Sequence, residues 1–206
     1  MHHLAALLAV VLSTGIEGFQ VDQPAPAELV EKLGPLLDAT GSEELRVATV
    51  AEHAGKADPA ERAASADRAI RLVEFIRGRE VRQTWVNIML NIRTNEVTLL
   101  NSNFLPDRGL DHQPSLTAAE AKAKVEARMG ESSTVELASG YRAKIAFNDT
   151  PAELAYDFET AWGFRPARGM LVWVFGATGV DHVQHYQVSV SAATGEVIAL
   201  HGKLVN

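Results

Sequence analysis

His185-Tyr-Gln-Val-Ser-Val-Ser-Ala-Ala-Thr-Gly-Glu-Val-Ile-Ala-Leu200 decides the fold of this chain. Its opening residues alternate, with apolar Tyr186, Val188 and Val190 set between Gln187, Ser189 and Ser191. A period of two belongs to a half-buried β-strand, whose side chains point to opposite faces in turn. Ala193-Thr194-Gly195 supplies the small residues and glycine of a turn. Glu196 to Leu200 then resumes the apolar pattern as a returning strand, free to run on to Val205.

Working back from this hairpin, strands are expected at Met170–Phe175, Leu154–Thr160, Tyr141–Phe147 and Thr134–Leu137. Ser115–Met129 is the clearest helix in the chain. Ser115 or Thr117 caps it, Glu120 completes a capping box with Thr117, and Gly130 stops it. Trp85–Ile92 and Glu96–Leu100 read as a β-hairpin turning at Thr94-Asn95, and Asn101–Pro114 as a polar connection. The upstream residues read as helical. Ala27–Asp38 has helical spacing interrupted by Pro35, and Ser42-Glu-Glu-Leu45 opens a short helix. Asp58 to about Gly78 starts well, with Asp58 as N-cap and Pro59 in the first turn. There Ala66, Ala69, Ile70, Val73 and Ile76 form the expected buried stripe. Arg68, Arg71, Arg77 and Arg79, mixed with Asp67, Glu74 and Glu80, form its expected solvated face. Helices followed by an antiparallel meander predict an α+β fold: an antiparallel sheet packed on the Ser115–Met129 helix, preceded by a helical N-terminal region and a β-hairpin. No internal sequence repeat is visible.

A length of 206 residues fits one domain, or one with a smaller companion, and a 47% hydrophobic content supplies a core. The 19 Lys and Arg against 26 Asp and Glu leave a net charge of −7, which argues against a nucleic-acid surface. With no cysteine there is no disulfide framework, thiol nucleophile or Cys-based zinc site. Leu4–Leu12 is apolar but far shorter than the roughly 20 residues of a spanning helix, and suits the core of a signal peptide. Ser13 and Gly15 place small residues at the −3 and −1 positions of a cut before Ile16, although Met1-His2-His3 carries no Lys or Arg. Residues 1–15 are therefore expected to be a leader, and the chain to be exported to a periplasmic or extracellular location. No later segment is long and apolar enough to span a membrane.

Three pieces in order carry a family resemblance. Ile76-Arg-Gly-Arg-Glu-Val81, the hairpin after it and Asn101-Ser-Asn-Phe-Leu-Pro-Asp107 resemble the fungalysin/thermolysin propeptide (FTP) motif. Ser115-Leu-Thr-Ala-Ala-Glu-Ala121 resembles the opening helix of a PepSY domain. Leu154-Ala-Tyr-Asp-Phe158 and Val188-Ser-Val-Ser-Ala-Ala-Thr-Gly-Glu-Val197 resemble that domain's signature strands. Departures are Ser191 where the family has Asp, Glu80 where it has Pro, and extra residues between Trp162 and His185. The resemblance implies a division into an N-terminal helical region and linker (16–67), an FTP-like helix and hairpin (68–114) and a PepSY-like domain (115–206). It also implies a non-enzymatic propeptide-like module that inhibits or chaperones a peptidase. Because no protease domain follows Asn206, the expected partner is a separate protein, a thermolysin-like metallopeptidase acted on in trans. A cell-envelope sensor or ligand-binding domain is the alternative.

The residues themselves offer little chemistry. His-Glu-x-x-His, Gly-x-Ser-x-Gly, Gly-x-Gly-x-x-Gly and the Walker A pattern are all absent. His182 and His185 stand three apart in a turn leading into a strand, which sends them to opposite faces and argues against a metal site. Gly176-Ala-Thr-Gly179 has no helix behind it to bind phosphate and reads as a turn. No catalytic residue, metal or cofactor is therefore expected. Trp85, Tyr156, Phe158, Trp173, Phe175 and Tyr186 read as core. Trp162-Gly-Phe-Arg-Pro166 instead reads as a loop whose Trp162, Phe164 and Arg165 match the residue types of interface hot spots. With Gly195 and Glu196, which open a candidate edge strand for β-addition, these are the expected partner contacts.

Overall fold

A computed structural model describes residues 10–11, 19–53, 67–91, 94, 96–158, 169–181 and 184–203. The chain divides into two compact units, Met1–Arg108 and Gly109–Asn206. Each is α+β, with a helix lying on an antiparallel sheet.

In the first unit, α1 (Ala27–Leu37) precedes strands β2 (Glu43–His53), β3 (Asp67–Ile76), β4 (Arg79–Asn91) and β5 (Glu96–Asn103). These four pair in sequence as an antiparallel meander. A two-residue strand, β1 (Val10–Val11), lies within the expected leader and pairs with Val97 and Glu96 of β5. Leu29, Leu33 and Leu37 recur along one face of α1 and are buried against Leu45, Val47, Ile70, Leu72, Val86, Ile88 and Leu90 of the sheet. Burial of each such side chain is worth about 1.5–3 kcal/mol. α1 runs on through Pro35 and ends at Asp38, which is left-handed at φ 57°. Pro35 has no N–H to offer the carbonyl four residues back, that of Glu31, and the helix ends within a turn of it.

Two upstream expectations are overturned. Glu43–His53 is a strand rather than the start of a short helix, and Asp67–Ile76 is a strand rather than the second half of the expected 58–78 helix. Residues 54–66 lie outside the described residues. Ala69, Ile70, Val73 and Ile76 fit a helical stripe, but Ile70, Leu72, Glu74 and Ile76 are buried at period two. Strand pairing on both edges of β3, with β2 and with β4, outweighs the helical preference of Ala69. The N-terminal half is thus mostly sheet with a single helix among its described residues.

In the second unit, α2 (Ala118–Met129) leads through a short 3₁₀ turn, Gly130–Ser132, into β6 (Thr134–Glu136), β7 (Arg142–Phe147), β8 (Glu153–Phe158), β9 (Gly169–Gly179), β10 (His185–Ser191) and β11 (Val197–Lys203). The expected capping box is present: Thr117 Oγ1 accepts from the Glu120 N–H, and the Glu120 carboxylate accepts from the Thr117 N–H. β7 and β8 lie end to end along one edge of β9, and β10 fills the other. Gly176–Gly179 is part of β9 rather than a turn, because it pairs with both β7 and β10. Where β7 gives way to β8, Asn148 crosses so close to Gly176 that a Cβ there would meet its amide at 2.5 Å. Ala121 and Val125 of α2 cover Val135, Ile145, Phe175, Ala177, Val188 and Val190.

Candidate functional site

Of the expected contacts, Trp162, Phe164 and Arg165 lie outside the described residues, as does His182. Gly195 and Glu196 are described. Gly195 has φ +76°, and a Cβ on it would lie 2.7 Å from Lys124 Cδ, so this turn sits tightly under α2. Its carbonyl accepts from Arg128 Nη1 at 3.3 Å. Glu196 is exposed, beside Thr194 Oγ1. Among the described residues β11 pairs with β10 alone.

The face of the second sheet turned away from α2 carries a buried polar knot. Asp157 of β8, Ser189 of β10 and His201 of β11 meet there, although β8 and β11 are three strand positions apart through β9 and β10. In a flat sheet three spacings would separate them by about 14 Å, so the sheet coils until its outer strands approach. Asp157 Oδ2 accepts from Ser189 Oγ at 2.5 Å and lies 2.9 Å from His201 Nε2, while Oδ1 accepts from the Phe158 N–H at 2.8 Å. The residue types are those of a hydrolase triad, but the order is different. In a triad histidine stands between serine and carboxylate and takes the serine proton. Here the carboxylate stands in the middle, the serine donates to it, and Ser189 is fully buried. The knot satisfies a buried carboxyl group and presents no nucleophile.

The first unit also buries a carboxylate. Glu74 stands on the helix side of β3, in register with Leu45 of β2 and Val81 of β4. Its Oε2 accepts from the Leu105 N–H at 3.0 Å, and its buried Oε1 has no hydrogen-bond partner. Burial pushes its carboxyl up to about 8, with the Leu105 N–H and the Thr84 hydroxyl acting against that and Glu43 and Asp107 adding to it. Beside it β4 bulges: Arg82, Gln83, Thr84 and Trp85 oppose Val73 alone, and Gln83 takes φ 61°. The loop after β5 is fastened here by the Asp107 N–H to Glu43 Oε1 at 2.7 Å and by Ser42 Oγ to Asp107 Oδ2 at 2.7 Å. No group of His, Asp or Glu fit to hold a metal ion occurs among the described residues.

The most open chemistry lies on the outer face of the first sheet, opposite α1. Burial alternates along β4, so that Trp85, Asn87 and Met89 turn outward from buried Val86, Ile88 and Leu90. Strand register places Thr49, Arg71, Asn87 and Asn101 in one row across β2, β3, β4 and β5. Thr49, Arg71 and Asn101 are exposed, and none of the four side chains has a polar partner among the described residues. Trp85 and Asn103 form the adjacent pair. In the row beyond it Arg46 covers the Phe75 ring at 4.2 Å and binds Glu44 at 2.6 Å. The sequence offered no sign of this row, because two of its four strands read as helix.

No family model matches the chain, and no curated protein matches it. Among solved structures it is similar to the C-terminal domain of Bacillus megaterium YpeB, at 11% identity and a TM-score of 0.38, over 89% of this chain and 100% of that one. A likeness at this level carries no functional inference.

Proposed function

We propose that the chain is a non-enzymatic, exported module that binds a protein partner and restrains or chaperones a peptidase in trans. The observation that supports this reading is the outer face of the first sheet. It sets Arg71, which has no polar partner among the described residues, and a half-buried Trp85 among amide and hydroxyl groups on one face of the sheet. Trp and Arg dominate the binding energy of protein interfaces, and a sheet fixes them at little entropic cost. The arrangement of Asp157, Ser189 and His201 favours a binding role over a hydrolytic one. The test is titration of the purified chain into assays of several thermolysin-like metallopeptidases, alongside refolding of the same enzymes in its presence. Dose-dependent inhibition or faster recovery of activity is expected, and lost in an Arg71→Gln, Trp85→Ala double variant. No effect on any of the enzymes in either assay removes the reading.

A further inference from the structure

The row Thr49–Arg71–Asn87–Asn101 has a chemical bias that narrows its ligand. The guanidinium carries five N–H donors, the two amides add four more, and the row contains no carboxylate. On the same face Glu44 is engaged by Arg46 at 2.6 Å, so it does not serve Arg71. Donors outnumber acceptors along a line that spans about 14 Å at the usual strand spacing. A carboxylate answers this excess best, because it accepts through two oxygens and meets a guanidinium fork in two parallel bonds. The chain's net charge of −7 makes this cation, without an acidic partner among the described residues, a local exception, and an acidic partner would be repelled over most of the remaining surface. A line of donors across four strands suits an extended polypeptide, whose carbonyls continue the acceptor pattern on either side of one acidic side chain. Trp85, in the neighbouring row, offers an aromatic surface for an adjoining apolar residue.

We propose that Arg71, flanked by Asn87, Asn101 and Thr49, docks an Asp or Glu side chain of an extended acidic segment in the protein partner, with Trp85 packing beside it. This rests on the protein-binding reading above and names the chemistry of the contact.

The probe is a fluorescein-labelled decapeptide of alternating Val and Glu, with a Val/Gln counterpart and free glutarate as controls, each titrated into the full chain. The Glu peptide is expected to bind at least tenfold more tightly than the Gln peptide, with affinity falling as salt rises. Arg71→Gln is expected to abolish that preference. Arg71→Lys recovers only part of it, because an ammonium lacks the fork. Asn87→Ala weakens binding several-fold, and Arg142→Gln in the second unit leaves it unchanged. Circular dichroism confirms that each variant is folded. Equal affinity for the two peptides, no binding of either, or an undiminished preference in Arg71→Gln overturns the proposal. Glutarate binding as tightly as the peptide overturns the polypeptide source in favour of a small dicarboxylate. A peptidase that binds wild type and Arg71→Gln equally sinks this contact while leaving the protein-binding reading intact. Peptide binding without any effect on a peptidase does the reverse.

Discussion

Among the described residues each unit buries one carboxylate in its sheet, and the two are treated in opposite ways. Asp157 accepts from Ser189 Oγ and the Phe158 N–H and contacts His201 Nε2. Glu74 accepts from one backbone N–H at 3.0 Å, leaves its second oxygen unpartnered, and feels the acids Glu43 and Asp107. A buried charge is tolerated when hydrogen bonds replace its lost water, and otherwise keeps its proton. The second unit therefore surrounds its carboxylate with donors, while the first holds a carboxyl that burial pushes up to about 8.

The largest expected effect separates the two by pH. The Glu74 carboxyl is raised from 4.5 to about 8 in the folded unit. Between those values the folded unit binds the extra proton, so stability declines as pH rises through the window and the full cost is present above it. A shift of that size corresponds to a loss on the order of 5 kcal/mol. Native-state amide exchange at pH 5, 7 and 9 is expected to show the first unit opening progressively, while the second changes less. Glu74→Gln, which cannot ionise, is expected to flatten the first unit's profile and to exceed wild type in stability at pH 9. An unchanged slope in that variant would show that other groups control the decline.

Asp157→Ala is expected to cost about 3–5 kcal/mol, confined to the second unit, because it strands Ser189 and His201 beside a cavity. Asp157→Asn keeps the shape and one acceptor oxygen, so it costs less. Urea unfolding of both variants measures the difference, and equal destabilisation would mean that the carboxylate's second acceptor oxygen, which both variants lack, and not packing, matters at the knot. Gly195→Ala is a smaller perturbation of the same unit. A left-handed residue with a side chain costs roughly 1–2 kcal/mol, and the added Cβ must displace the flexible end of Lys124. The shift in thermal midpoint is the readout, and Lys124→Ala in the same chain is expected to recover only the part due to Lys124 Cδ, since its Cβ stays 3.1 Å from the added atom.

The two units also differ in how far the sequence reveals them. In the second, period-two alternation from Tyr186 to Ser191 and the Thr117/Glu120 spacing are local signals, and the strands and cap lie where those signals put them. In the first, Ala69, Ile70, Val73 and Ile76 satisfy helix and strand patterns alike, and pairing with distant β2 and β4 decides between them. Glu74 suffers the same ambiguity: on a helix it joins a charged face, and on β3 it falls between buried Leu72 and Ile76. The polar knot joins residues 32 and 44 positions apart, and the Arg71 row requires the register of four strands. Neither is a pattern that a linear reading can reach. Gly195 was visible as a turn residue, but its close approach to α2 was not.

The helices repeat the contrast on a smaller scale. α1 has no side-chain cap at Pro26 and is held by a deep stripe of Leu29, Leu33 and Leu37. α2 buries only Ala121 and Val125, and its start is fixed by Thr117 and Glu120, with the Leu116 carbonyl accepting from Trp173 Nε1 at 2.8 Å. A helix with little apolar area to bury depends more on satisfying its first N–H groups. Thr117→Ala is therefore expected to cost about 1 kcal/mol, and Thr117→Ser almost nothing, since serine restores the acceptor. Amide exchange at Ala119–Ala121 is the direct readout. It should quicken in the alanine variant while the protection of α1 stays at its wild-type level. If the first turn of α2 keeps its protection without the hydroxyl, the contacts of Leu116 and Trp173 are enough to hold the helix, and α2 depends on packing as α1 does.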